Sequence, residues 1–225
     1  MVKTMGYNKG DSYESVIFEI FKKKGLLPHN FARAGAGGGV DIQFLYRSRL
    51  CNLEVKLDLK ADYGQKTLGW QDGEWFFNKS DFTTDFYIKK FGILDYVNTK
   101  NIVPNKHRIP NDQITMSHKQ ADQKIFEDSV PIPIDALHEY YAEKECYYIQ
   151  IGGYGFYHLQ KDILQLGTPQ FKCEVELRLR AKTVHSNPIH NYGFYAVLKP
   201  KARPKPQQSI YDIEEKNGRL FPPIE

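Results

Sequence analysis

The sequence predicts a mixed α/β (α+β) chain in which an N-terminal helix leads into a β-hairpin and the last third is rich in strands. Three observations predict it. Apolar residues recur at spacings of three and four over residues 11–24, the period of a helix with one buried stripe. Two runs, residues 40–46 and 51–57, alternate apolar and polar side chains, as half-buried strands do. Three later segments, YYIQIGGYGFYHL, FKCEVELRLRAKTV and YGFYAVLKP, carry the same alternation.

Composition bounds the possibilities. With 225 residues and 41% hydrophobic content the chain can bury a substantial core. A net charge of +4 and a pI near 8.7 are compatible with a nucleic-acid partner without requiring one. Cys51, Cys146 and Cys173 are widely separated and lack zinc spacing, which fits a reducing cytoplasm. The polar start resembles no signal peptide and no apolar run approaches membrane length, so a soluble, cytoplasmic protein without membrane contact is expected. Fifteen tyrosines and fourteen phenylalanines are too many for base stacking alone, and in a strand-rich chain they read as packing residues.

The first helix is expected from about Asp11 to Lys24, with Asp11 and Glu14 forming a capping box and Gly25 closing it. Tyr13, Ile17, Ile20, Phe21 and Lys24 form its stripe, and Glu14 lies on the stripe's edge. Glu19 and Lys23 read as a solvated i,i+4 pair. The following loop, ARAGAGGGV, can bring backbone N–H groups close to a phosphate, with Arg33 placed to hold one; a plain connector is the other reading. No Walker-type lysine follows the glycines, which excludes a nucleoside triphosphate site of that kind.

A tight turn between Arg47 and Ser48 would set Val40 opposite Val55, Ile42 opposite Leu53 and Phe44 opposite Cys51. A slip of one residue would oppose apolar to polar rows, so the pattern itself selects a register that brings Asp41 opposite Glu54. Lys56 shares their face. Adjacent carboxylates repel unless a proton, a cationic side chain or a divalent metal relieves them. Hard oxygen donors suit magnesium or manganese, and a hard cation beside a lysine is suited to phosphodiester hydrolysis. Glu-x-Lys on a hairpin is also a common cross-strand ion pair.

At these residues the chain resembles the PD-(D/E)xK, or restriction-endonuclease-like, nuclease superfamily. Asp41 stands at the acid of the first half-motif, with Val40 where proline often stands, and Glu54-Val55-Lys56 forms the second half. The similarity runs from Gly10 to Gln65, about a quarter of the chain. It implies a core with a mixed central sheet flanked by helices, binding Mg2+, for which Mn2+ can substitute. Asp41, Glu54 and the backbone carbonyl of Val55 would ligate the metal, and Lys56 would orient water or steady the phosphate. Gly10-Asp11-Ser12-Tyr13-Glu14 is similar to the family's first helix, which implies that Glu14 reaches the metal directly or through water; its reading as a cap alone stays open.

After Lys56 the chain is expected to leave the strand and enter a helix near Asp62, where Gln65 resembles a polar residue that the family points at its site; a solvated helix face is the alternative. The stretch 70–97 is expected to complete the sheet. The family continues with a strand parallel to the second hairpin strand, and Phe86-Tyr87-Ile88 is the candidate. Residues 98–133 read as an irregular or partly helical insertion.

In the last third, Phe171, Cys173, Val175, Leu177 and Leu179 alternate with Lys172, Glu174, Glu176, Arg178, Arg180 and Lys182. Residues 171–206 hold eight Lys or Arg against two Glu, so Arg178, Arg180 and Lys182 are expected to contact DNA as a group, although ion pairing explains any one of them. His185, Asn187 and His190 lack the second ligand pattern of a histidine-metal nuclease, and no nucleophile elbow supports a Ser-His-Asp hydrolase.

The expected organisation is a nuclease core at 8–100, a connector at 101–140 and a basic, β-rich portion at 141–225. The expected activity is that of a metal-dependent endonuclease on double-stranded DNA, first a sequence-specific type II restriction enzyme, which as a homodimer would cut two strands with two sites. The alternatives are a repair, recombination or mobile-element (homing-type) nuclease, or a catalytically silent DNA-binding module. An interaction protein built on the aromatic-rich β part also stays open.

Overall fold

Turn chemistry and alternation decide where the strands fall, and the helices follow from caps and stripes. A computed structural model of the chain describes residues 9–29, 40–183 and 191–223. In chain order these form α1 (Lys9–Lys23), β1 (Ile42–Tyr46), β2 (Arg49–Lys56), β3 (Gly64–Gln71), β4 (Glu74–Phe77), α2 (Phe82–Lys89), α3 (Ile93–Thr99), α4 (Asn105–Arg108), α5 (Met116–Phe126), β5 (Asp128–Ile132) and α6 (Ile134–Ala142). Then come β6 (Cys146–Ile151), β7 (Gly155–His158), β8 (Val175–Thr183), β9 (Tyr192–Pro200), β10 (Tyr211–Asp212) and β11 (Arg219–Leu220). The class is mixed α+β.

The chain divides into two compact units, each made of separate stretches: Met1–Ala61, Leu137–Glu174 and Pro200–Glu225 in the first, Asp62–Ala136 and Val175–Lys199 in the second. The division does not fall at residues 100 and 140, where sequence character changes.

In the first unit α1 presents Tyr13, Ile17 and Phe21 to the core. Asp11 in its first turn and Lys22 and Lys23 in its last complement the helix dipole. The helix ends as the glycine predicts. Gly25 takes φ +67°, its N–H donates to the Lys22 carbonyl at 3.1 Å, and the Leu26 N–H donates to the Phe21 carbonyl at 3.0 Å, which is a Schellman closure. Asp11, expected at the N-cap, lies inside α1 instead, in its first turn.

β1 and β2 pair antiparallel with Ile42 opposite Leu53 and Phe44 opposite Cys51, the register that the hydrophobic pattern selects. Arg47 and Ser48 both have positive φ, 46° and 62°, as a two-residue primed turn requires. The sheet runs β1-β2-β6-β7-β10-β11 and is mixed, because β6 lies parallel to β2 while β7 returns antiparallel to β6. Phe21, Phe44, Leu53, Tyr148, Phe156 and Phe221 meet in its core. Phe221 stacks on Phe156 at 4.6 Å and meets Phe44 edge-on at 5.8 Å, so the residue that follows β11 closes the same core that α1 opens. Each such buried ring contributes roughly 1.5–3 kcal/mol.

The second unit holds the sheet β4-β3-β9-β8-β5 with α2 to α5. Two expectations are corrected there. The segment after Asp62 is strand β3, not a helix. Asp72 and Gly73 take φ +53° and +93°, a primed hairpin turn that pairs Trp70 with Trp75 and commits both flanks to strands. Phe86-Tyr87-Ile88 lies inside helix α2, begun by Asp81, whose carboxylate accepts the Thr84 N–H at 2.8 Å. The strand parallel to β2 is instead β6, which enters from the far side of the second unit's sequence. On β8, Val175, Leu177, Leu179 and Ala181 are buried and Glu176, Arg178, Arg180 and Lys182 are half-buried; residues 171–174 precede the strand rather than extending it.

Candidate active site

Strand alternation puts Leu53 and Val55 in the core and turns Glu54 and Lys56 to the opposite face of β2. Asp41, the residue before β1, reaches across the hairpin, and its Oδ2 accepts the Val55 N–H at 2.8 Å. Glu54 is only 5% exposed. Its Oε1 meets Lys56 Nζ at 2.5 Å and accepts the Tyr141 hydroxyl at 3.3 Å, while Oε2 lies 3.7 Å from Lys144 Nζ. Tyr141 comes from the last turn of α6, and Lys144 from the turn that joins α6 to β6. Parallel pairing of β6 with β2, Glu54 opposite Ile149 and Lys56 opposite Ile151, is what brings that turn to the site.

The charges on the two acids are balanced differently. Burial pushes the Asp41 carboxyl up to about 7, and the Glu54 and Glu14 charges push it the same way against Lys56 and the Val55 N–H. Burial also opposes ionisation of Glu54, but Lys56 and Lys144 outweigh it and hold Glu54 below the usual carboxylate range. Lys56 is driven up despite its burial by Glu54 and Asp41. The thiol of Cys146 beside them is raised by burial and by Glu54, so it packs as a neutral group.

Asp41, Glu54, Val55 and Lys56 therefore come together as the hairpin register predicts, and Glu14 on α1 contributes its field to Asp41. Gln65 does not join them in the expected way: it stands on β3 in the second unit, not at a helix start, and its side-chain oxygen accepts Lys182 Nζ at 2.7 Å. Arg33 and the glycine loop lie outside the described residues, as do His185, Asn187 and His190. Tyr141 and Lys144 join the site without a motif that marks them. Their only sequence signal is a Tyr-Tyr-x-x-Lys run directly before a strand.

No family model, curated protein or solved structure matches the chain. What can be assigned therefore comes from the residues themselves. Among the described residues no three His, Cys, Asp or Glu side chains gather as metal ligands. The donor set offered by Asp41, Glu54 and the Val55 carbonyl is small and all oxygen, and it fits a magnesium-like cation that keeps several waters. Beside burial, the Glu54 charge raises Asp41, and that repulsion is what such a cation would relieve.

The second unit carries a separate cationic face. Asp62 pairs with both Lys182 and Lys199, the latter at 3.6 Å, and Glu176 lies 3.6 Å from Arg178 Nε. Arg180 Nε is buried and has no hydrogen-bond partner among the described residues. Burial lowers Lys199, Arg178 and Arg180 lower it further, and Asp62 opposes them. Among the described residues Arg178, Arg180, Lys182 and Lys199 thus gather on this face together with Asp62 and Glu176. No helix among the described residues is long and apolar enough to cross a membrane.

Proposed function

We propose that this chain is a metal-dependent endodeoxyribonuclease whose site is Asp41, Glu54 and Lys56. The observation that carries the reading is the Asp41 carboxylate on the Val55 N–H at 2.8 Å beside the Glu54–Lys56 pair at 2.5 Å, two acids and a lysine converging on one hairpin end. The parallel strand β6, reached through α6, adds support, since the restriction-endonuclease-like core resembled by the sequence continues with such a strand.

When bound, magnesium or manganese supplies charge stabilisation at the phosphoryl group and a more acidic water. Asp41 and Glu54 would hold that cation with the Val55 carbonyl. Lys56 presents its ammonium beside Glu54, where it would orient the attacking water or a phosphate oxygen. Glu14 adds negative field to the same place. Arg178, Arg180 and Lys182 on the second unit would hold double-stranded DNA through its phosphates. A type II restriction enzyme acting as a homodimer is the finer reading, and a repair, recombination or mobile-element nuclease is its alternative.

A second reading has its own observation. Glu54 already has Lys56, Lys144 and Tyr141 as partners, so the group also satisfies itself as a buried ion-pair cluster in a catalytically silent DNA-binding module. Incubation of unmethylated phage DNA with the protein in magnesium separates the two. Discrete fragments, lost in EDTA and in Asp41→Asn and Lys56→Ala, are the expected result; cutting confined to branches or ends favours the repair class. If wild type leaves linear, branched and single-stranded DNA intact yet binds duplex with a steep salt dependence, the silent module replaces the nuclease.

A further inference from the structure

We propose that Lys144 is a phosphate-binding residue of this site, resting on Glu54 until a divalent cation takes that carboxylate, so that DNA affinity is coupled to metal occupancy. This rests on the nuclease reading above and extends it to a residue outside the acid and lysine motif.

The two ammonium groups on Glu54 are not equivalent. Lys56 Nζ is at hydrogen-bond distance, 2.5 Å from Oε1, whereas Lys144 Nζ stands 3.7 Å from Oε2, an ion pair without a hydrogen bond. Lys144 is the looser partner. Its Nζ lies 5.6 Å and 5.3 Å from the ring centres of Tyr140 and Tyr141, a cation–π cradle that keeps the ammonium near the site without the carboxylate. Its backbone is fixed, because the Lys144 N–H donates to the Tyr141 carbonyl at 3.0 Å and the Lys144 carbonyl accepts from the Asn52 side chain at 3.5 Å. The side chain can therefore shift while its base stays in register with β2.

Charge completes the case. Once a cation has displaced the Asp41 proton, Glu14, Asp41 and Glu54 stand as three acids beside the two ammonium groups of Lys56 and Lys144. A divalent cation reverses the balance to one positive charge, which matches the single negative charge of a phosphodiester. With the cation on Glu54, like-charge repulsion disfavours Lys144 at Oε2, and the phosphate becomes its nearest anion.

The test follows Lys144→Gln and Lys144→Arg beside wild type, using full-length protein. Duplex binding is read by anisotropy across a salt series, in EDTA and in calcium, a hard cation of the same donor preference. Calcium binding to the protein without DNA is measured by calorimetry. In calcium, Lys144→Gln is expected to lose about ten-fold in duplex affinity and about one in salt slope, with Lys144→Arg restoring the slope. In EDTA the slopes of wild type and Lys144→Gln coincide. Without DNA, Lys144→Gln binds calcium more tightly than wild type, because a competing cation has gone. A structural counter-ion predicts otherwise: metal and DNA binding fall together, and that result overturns the proposal. So does a slope unchanged in calcium, or one reduced equally in EDTA. If wild type cleaves DNA while Lys144→Gln keeps its slope, only this inference falls; if wild type binds neither metal nor DNA, the nuclease reading fails and takes it along.

Discussion

Asp41 and Glu54 are neighbouring acids with opposite electrostatic settings, and the difference makes the site sensitive to pH. Lys56 and Lys144 keep Glu54 ionised, whereas burial, Glu54 and Glu14 push Asp41 up to about 7. A folded pKa above the unfolded value means that the folded chain holds the proton more tightly. The stabilisation is therefore fully present below the ordinary aspartate range and is lost as pH rises through about 7. A divalent cation needs the ionised form, so it must displace that proton at low pH and finds the carboxylate ready at high pH. Magnesium is expected to raise the melting temperature little at about pH 6 and more at about pH 8, and Asp41→Asn should remove both the increment and its pH dependence. Thermal melts with and without magnesium across that range check this. Equal increments at both ends would mean that Asp41 does not hold the cation.

At the scale of elements, the site depends on how closely the turn after β6 approaches the end of β2. The Gly152 N–H donates to the Lys56 carbonyl at 2.9 Å, and a Cβ at Gly152 would stand 2.2 Å from the Leu57 carbonyl oxygen. Gly152→Ala must push backbone against backbone, at a cost of roughly 1–3 kcal/mol, and the shift falls on the strand that carries Lys56. The expected outcome is a lowered denaturation midpoint with DNA cleavage slowed by more than about ten-fold, because a small misplacement of a reacting group is costly. A variant that loses stability but cleaves at the wild-type rate would show that this contact does not position Lys56. The hairpin itself was legible in the sequence, since a period of two with one apolar face allows a single register and the Arg47-Ser48 turn fits it. So was α1, whose stripe and Gly25 mark its face and its end. Strand β3 and helix α2 differ from the expectation although each carries a local sign, Asp72-Gly73 for the hairpin and Asp81 for the cap. A short apolar run such as Phe86-Tyr87-Ile88 fits either period. Tyr141 and Lys144 were not legible, because parallel pairing of β2 with β6 joins residues about ninety positions apart and no local pattern encodes it.

Over the whole molecule, acids and surplus cations are distributed between units that the chain visits in turn. The first unit is completed only by Leu137–Glu174 and Pro200–Glu225, the second only by Val175–Lys199, so neither is a continuous stretch of sequence. This interleaving hid the division from composition, because basic residues at 171–206 belong partly to each unit. Within the second, Arg178 and Arg180 stand two apart on β8, and Lys199 is lowered first by burial and then by both arginines, so positive charge gathers at this strand. Phosphate is the anion that would balance it on duplex DNA. The double substitution Arg178→Gln with Arg180→Gln is expected to weaken duplex binding and to reduce the salt slope by about two if both arginines meet phosphates. The same protein should bind magnesium with wild-type affinity, because the carboxylates sit in the other unit. Anisotropy over a salt series and calorimetric metal titration read the two properties separately. An unchanged slope would return Arg178 to the role of a half-buried ion pair with Glu176 and leave Arg180 as a packing side chain of β8. A loss of metal affinity would instead reveal an energetic link between units, and the DNA effect could then no longer be ascribed to lost phosphate contacts alone.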